Sequence, residues 1–125
     1  MHVSYWCVLA AALLPFAFTA IAKGIGRREF SNRAPRVFQS KLTGMAARAH
    51  WAHLNSFEAF APFAAGVLIA EQLGAAQSRI DTLAIAFVVL RIVYGICYLA
   101  DQATLRSLVW AAAFACTVAL FVIGA

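Results

Sequence analysis

Four long apolar segments, separated by short polar ones, constrain this chain more than any other feature of its sequence. An α-helix needs about 20 consecutive apolar residues to cross the hydrocarbon core of a bilayer, and each segment reaches that length. We therefore predict one all-α domain over residues 1–125, an integral membrane bundle of four helices. The predicted helices cover about residues 3–22, 45–73, 80–100 and 105–124.

Composition excludes most soluble alternatives. Hydrophobic residues make up 64% of the chain and charged residues only 12%, whereas a soluble domain is about half apolar and about a quarter charged. If this chain folded as a soluble globule, it would have too few polar residues to cover its surface. A water-soluble enzyme is therefore not expected.

Basic residues mark the orientation of the predicted spans. The segment after the first span is basic over residues 23–41, and Arg106 follows the third span. Positive charge near the ends of spans indicates the cytoplasmic side, so we expect these two loops in the cytoplasm and both termini on the other side. Orientation and contact with anionic headgroups account for the net charge of +5. No nucleic-acid partner is expected.

Polar residues inside the second and third segments point to function. An ionised side chain deep in a span costs about 2.5–3.5 kcal/mol, so such residues face the bundle interior or a water-filled site. On each segment they recur at helical spacing and therefore form one stripe. They are Arg48, Asn55 and Glu58 on the second segment and Arg91, Tyr94 and Tyr98 on the third.

Two interpretations of these stripes remain open from spacing alone. In one, Glu58 and Arg91 form a buried ion pair, and the amide and phenol groups are hydrogen-bond links between helices. In the other, the stripes line a ligand site. His50 and His53 lie off the stripe, and no Cys or second carboxylate joins them at ligand spacing, so we predict no metal site.

The stretch over residues 48–58 resembles the second-helix signature of the membrane-associated proteins in eicosanoid and glutathione metabolism, the MAPEG family. That signature resembles E-R-x-x-R/x-A-x-x-N-x-x-E, followed by an aromatic-Pro-x-Phe stretch. The matching residues are Ala52, Asn55, Glu58, Pro62 and Phe63.

The resemblance continues along the chain. Residues 26–30 resemble the basic end of the family's first helix, and residues 91–98 resemble its third-helix pattern of an arginine followed by tyrosines four apart. Arg106 resembles the family's catalytic arginine. Four such motifs in the correct order identify the chain as a MAPEG-like protein, similar to the bacterial branch.

The resemblance implies a homotrimer of four-helix subunits that binds glutathione between neighbouring subunits, as a co-substrate, near the cytoplasmic side. Lipophilic small molecules would be the second substrate. Arg106 would stabilise the glutathione thiolate, and Asn55 and Glu58 would hold polar groups of the peptide. The residues expected to contact its carboxylates and backbone are Arg27 or Arg28, Arg48, Tyr94 and Tyr98.

This chemistry is physically reasonable for a guanidinium. The thiolate is the nucleophile, whereas a free thiol has a pKa of about 8.5 and is mostly neutral. A neighbouring cation favours the anion, and arginine stays protonated even at a membrane boundary. The expected activity is that of a glutathione S-transferase or peroxidase acting on lipophilic electrophiles.

Three departures from the family pattern leave the activity open. Ala47 replaces the acid before the signature arginine, Trp51 stands where several members have a second arginine, and the spacing from Tyr98 to Arg106 differs from that of characterised members. A non-catalytic lipid-binding or scaffold protein on the same fold is the alternative.

A small multidrug transporter is disfavoured because such proteins place their essential glutamate in the first helix, whereas Glu58 lies in the second.

The chain ends without an endoplasmic-reticulum retrieval signal. We expect a bacterial cytoplasmic (inner) membrane.

Overall fold

A computed structural model describes residues 1–25 and 42–125, and these ranges are helical apart from short turns and termini, with no strand among them. The predicted all-α fold is confirmed. The largest shifts from the expected bounds are at the end of the first helix and the start of the third. The helices are α1 (Val3–Ile25), α2 (Gly44–Gln72), α3 (Gln77–Leu99) and α4 (Ala103–Val122).

The turns after α2 and α3 have the same hydrogen-bonding pattern. Ala75 N–H donates to the carbonyl of Ala70 after α2, and Gln102 N–H donates to the carbonyl of Cys97 after α3. This pattern needs a residue with positive φ, which is Gly74 (φ 72°) in the first turn and Asp101 (φ 60°) in the second. Both turns are tight, so consecutive helices run antiparallel.

Three of the helices, α1, α3 and α4, are long and apolar enough to cross a membrane. The remaining helix, α2, carries the polar residues of the predicted stripe in its N-terminal half. Its 29 residues correspond to about 43 Å at 1.5 Å per residue, which exceeds the hydrocarbon thickness of about 30 Å. Helices α2 and α3 each pack against the other three helices of the bundle.

All four helices contribute buried side chains to the hydrophobic core. Phe63 and Phe87 stack with ring centroids 3.9 Å apart and an interplanar angle of 6°. Where α1 crosses α3, the Phe18 ring occupies the space in which a Cβ on Gly95 would lie, so only glycine fits there. Many large apolar side chains point outward, such as Leu108 (64% exposed) and Leu68 (56%), which suits a surface in contact with lipid.

One end of the bundle is held by a polar cluster that we call the terminal clasp: Ser4, Glu71, Gln77 and Asp81. Ser4 donates from its backbone N–H to Asp81 Oδ1 (3.1 Å) and from its hydroxyl to Glu71 Oε1 (2.8 Å). Gln77 Nε2 donates to the same two oxygens, both at 2.8 Å. Because the first N–H groups of a helix have no partner within it, Asp81 caps α1 from a neighbouring helix.

Candidate functional site

The predicted stripes of α2 and α3 meet at Asn55 and Arg91. Arg91 Nη2 donates a hydrogen bond to Asn55 Oδ1 at 2.7 Å, and the Arg91 side chain is only 2% exposed. A guanidinium has donors and no acceptor, so the oxygen of Asn55 must face Arg91. The NH₂ group of Asn55 therefore points away from Arg91 and is available as a donor.

The ion pair considered for Glu58 and Arg91 is not formed. No salt bridge joins these two described residues, and Glu58 lies exposed on α2. Arg91 Nε is buried and lacks a hydrogen-bond partner among the described residues. Its guanidinium instead lies over the Tyr94 ring, 4.1 Å from the centroid, in a cation–π contact.

Arg91, Tyr94, Tyr98 and Arg106 form a continuous row that we call the arginine–tyrosine ladder. Tyr94 meets Tyr98 edge to face, with centroids 5.6 Å apart. The Arg106 guanidinium lies 4.4 Å from the Tyr98 ring centroid. Arg91 is eight residues before the end of α3 at Leu99, or about 12 Å along the helix. The ladder thus extends from the helix end into the bundle.

Trp51 adjoins this ladder. Its ring lies 6.3 Å from that of Tyr98, tilted by 47°, and the residue is half exposed. An indole therefore lies beside Tyr98 at the position where the resemblance predicted an additional cation in some relatives.

Arg48 has a structural partner at the same end. Its Nε and Nη2 donate to the Leu99 carbonyl, at 3.4 and 3.3 Å. The last carbonyls of a helix lack partners within it, so Arg48 caps the C-terminus of α3. The predicted contact of Arg48 with a ligand stays a prediction, and the cap is a role that the sequence did not indicate.

The two histidines lie against α1. His53 Nδ1 is 2.7 Å from the Pro15 carbonyl, and because a carbonyl only accepts, Nδ1 carries the hydrogen. His50 stacks on His53 with centroids 6.0 Å apart. Over residues 1–25 and 42–125, no three His, Cys, Asp or Glu side chains are grouped so as to hold a metal ion. Arg27 and Arg28 lie outside the described residues and stay predictions.

A cavity of about 180 Å³ lies between α2, α3 and α4. Its polar end is formed by Asn55, Glu58 and Arg91, and the rest of its wall is largely apolar. Trp110 and Phe114 present nearly parallel rings, with centroids 5.4 Å apart and an angle of 2°. The remaining lining residues are Ala59, Pro62, Phe87, Ala113 and Thr117.

Residues 3–125 match the model of the MAPEG family. The chain belongs to the MAPEG family. No curated protein and no solved structure matches it. MAPEG membership confirms the helical membrane bundle and supports, at the level of the family, a function related to glutathione.

The site of this MAPEG protein joins two chemical environments. The ladder supplies two guanidinium groups, which favour anions such as a thiolate or a carboxylate. The cavity beside it supplies apolar surface. Arg106 and Trp110 are four residues apart on α4 and therefore lie on the same face, so the two environments adjoin.

Sequence reasoning missed two parts of this MAPEG site. The sequence places Arg91 on a stripe but does not indicate a role for it in binding. The α4 wall of the cavity was not predicted, although Trp110, Phe114 and Thr117 follow Arg106 at helical spacing. That spacing was the available signal. In an apolar span it does not distinguish a cavity wall from a surface facing lipid.

Proposed function

We propose that the chain is a membrane-bound glutathione S-transferase, with peroxidase-type activity also expected, that conjugates glutathione to lipophilic electrophiles. The observation that carries this proposal is the contact between a cationic ladder and an apolar cavity along one face of α4. A polar peptide thiol and a lipophilic acceptor need these two environments side by side. MAPEG membership supports the same function at the level of the family.

The site residues predicted from the sequence have specific roles in this proposal. Arg106 stabilises the glutathione thiolate. Asn55 donates a hydrogen bond from its NH₂ group to an acceptor on glutathione. Glu58, which is exposed and not paired with Arg91, accepts a hydrogen bond from the ammonium group of glutathione. The remaining contacts to carboxylates and backbone are assigned to Arg27 or Arg28, Arg48, Tyr94 and Tyr98.

We propose that the active form is a homotrimer with glutathione bound between subunits. The half-exposed side chains of Trp51 and Trp110 support a further covering layer, because Trp51 lies beside Tyr98 of the ladder and Trp110 lines the cavity. We place the trimer in a bacterial cytoplasmic membrane, with the basic loops in the cytoplasm.

The test is conjugation by detergent-purified protein. Arg106→Ala should lower kcat/KM by about 100-fold, the loss typical of removing one group that stabilises a developing or bound anion. Arg79→Ala, which removes an exposed arginine at the other end of the bundle, is the matched control and should stay close to wild type. Absence of glutathione binding at millimolar concentrations contradicts the proposal.

A second candidate is a non-catalytic lipid-binding or scaffold protein. The specific observation is Trp51, which covers Tyr98 with an apolar ring where a cation would help bind a carboxylate. This candidate predicts an inactive wild type and measurable conjugation by Trp51→Arg. An active wild type that loses activity on Arg106→Ala excludes it.

A further inference from the structure

We propose that a groove between the start of α3 and the end of α4 binds one anionic phospholipid. The phosphate of the lipid contacts Arg79 and Ser78, and one of its acyl chains lies along the apolar part of the groove. This site is at the clasp end of the bundle and shares no residue with the glutathione site. It therefore does not depend on the proposed function.

The groove has a polar end and an apolar end and measures about 430 Å³. Arg79 and Leu83 are four residues apart on α3, so the two ends lie one helical turn apart on the same face. Headgroup and acyl chains follow one another in a phospholipid in the same order. The lining residues are three exposed polar ones, Ser78, Arg79 and Thr82, and three half-buried apolar ones, Leu83, Ala119 and Ile123.

The groove begins at the level where a bilayer has its headgroups. Arg79 is in the first turn of α3 (Gln77–Leu99), and both α3 and α4 are long and apolar enough to cross a membrane. An arginine at the end of a span places its guanidinium at the membrane interface. Leu83 and Ala119 follow towards the hydrocarbon, so the apolar end is open to acyl chains.

The hydrogen-bond donors of the polar end are Arg79 and Ser78. Thr82 is not counted, because its hydroxyl already donates to the Ser78 carbonyl at 2.7 Å. Arg79 has no ion-pair partner among the described residues. A guanidinium can donate two parallel hydrogen bonds to a phosphate. The start of α3 also has no side-chain cap, so no side chain of this helix occupies the place of the phosphate.

The two acids of the clasp do not neutralise this end of the groove. Asp81 is two residues after Arg79, which places it about 200° around the helix, on nearly the opposite side. Its Oδ1 accepts hydrogen bonds from Ser4 and Gln77, and Glu71 accepts from the same two residues. The charge that faces the groove is therefore positive, which favours an anionic lipid over a zwitterionic one.

Volume and surface favour a lipid over a free phosphate ion. An apolar cavity of about 150 Å³ in another protein holds one benzene molecule, and this groove is almost three times as large. A free phosphate would occupy only the polar end. An acyl chain also covers Leu83, Ala119 and Ile123, and the burial of apolar surface is favourable.

The first test is native mass spectrometry of the detergent-purified protein, titrated with phosphatidylglycerol or with phosphatidylcholine of the same acyl chains. Wild type should bind one phosphatidylglycerol per chain about fivefold more tightly than phosphatidylcholine, the preference expected from one arginine near an anionic lipid. Arg79→Gln should abolish this preference. Arg79→Lys, which keeps the charge, should retain most of it.

The second test fills the apolar end. Ala119→Phe places a ring in the groove, and Ala112→Phe makes the same change at an exposed position of α4 outside the groove. Ala119→Phe should bind one phosphatidylglycerol fewer per chain, and Ala112→Phe should match wild type. Unfolding temperatures check that the variants fold. The exposed Arg79→Gln decides the question if Ala119→Phe does not fold.

Two results would overturn the proposal. One is equal binding of both lipids by wild type, with no change in Arg79→Gln, because the groove would then hold acyl chains without selecting a headgroup. The other is a rise in unfolding temperature with inorganic phosphate alone that equals the rise with phosphatidylglycerol, in wild type and Ala119→Phe alike. That result would assign the polar end to a free phosphate. Both measurements omit glutathione, so neither outcome bears on the transferase function.

Discussion

The terminal clasp and the arginine–tyrosine ladder are both polar clusters in an apolar bundle, yet their hydrogen bonding differs. In the clasp, the Ser4 hydroxyl and the amide of Gln77 donate to Glu71 and Asp81, and these bonds join α1, α2 and α3. In the ladder, Arg91 Nε has no partner among the described residues. The clasp therefore joins three helices, whereas the ladder contains a buried donor, Arg91 Nε, that a ligand could use.

The physical reason is the cost of polar groups away from water. A buried polar group without a partner costs about 1–3 kcal/mol, and a charged group costs more. The clasp avoids that cost with bonds made inside the chain. In the ladder, the unpartnered Nε of Arg91 bears this cost. A ligand that supplies hydrogen-bond acceptors or a negative charge would offset the cost. Changes in the ladder should therefore alter binding, and changes in the clasp should alter stability.

The largest effect expected in this comparison comes from Asn55→Asp. The new carboxylate keeps one oxygen on Arg91 and turns the ligand-facing donor into a negatively charged acceptor. Glutathione affinity should fall by about 100-fold, because a donor is lost and a like charge faces the peptide carboxylates. Calorimetric titration measures the affinity.

The same variant should unfold at an equal or higher temperature than wild type, because Arg91 gains a charged partner. Asn55→Ala, which removes donor and acceptor together, is the control. Unchanged glutathione affinity in Asn55→Asp contradicts the orientation assigned to the Asn55 amide.

A smaller effect is expected from breaking the clasp. Glu71→Ala leaves the Ser4 hydroxyl with no acceptor on α2 and removes one of the two acceptors of Gln77. We expect a loss of about 2 kcal/mol in the free energy of unfolding, measured by denaturant titration in detergent. Glutathione affinity should not change. Gln72→Ala, an exposed neighbour on the same helix, is the control, and a clasp variant that weakens glutathione binding argues against the division of roles.

The smallest effect is expected from Arg48→Met. The change removes the two long hydrogen bonds to Leu99 and keeps most of the aliphatic bulk. We expect a loss of about 0.5–1 kcal/mol in stability, the value of an ordinary hydrogen bond. If Arg48 also binds a glutathione carboxylate, KM for glutathione rises as well. A stability loss with unchanged KM assigns Arg48 to capping alone.

The sequence could predict which residues share a face but not which residues meet. Helical spacing correctly grouped Asn55 with Glu58 and Arg91 with Tyr94 and Tyr98. It could not tell that Arg91 reaches Asn55 rather than Glu58, because that depends on the relative height of two helices. The cap formed by Arg48 was hidden for the same reason.

The clasp and the cavity illustrate a second limit. In the sequence, Glu71 and Asp81 are only two acids on either side of a turn, and packing is what brings Ser4 of α1 between them. The cavity depends on small side chains such as Ala113 leaving space beside Trp110. Sequence periodicity carries no information about empty volume, so the α4 wall became visible only in the folded bundle.

We expect glutathione to bind at the ladder and not at the clasp. This expectation is tested by the shift in unfolding temperature at a glutathione concentration that saturates wild type, compared between wild type, Arg106→Ala and the clasp variant Glu71→Gln. A ligand that binds only the folded state raises the unfolding temperature. We expect a clear rise in wild type and in Glu71→Gln and a smaller rise in Arg106→Ala, because losing the thiolate contact lowers the affinity for glutathione. No rise in wild type, or an equal rise in all three proteins, would contradict this expectation.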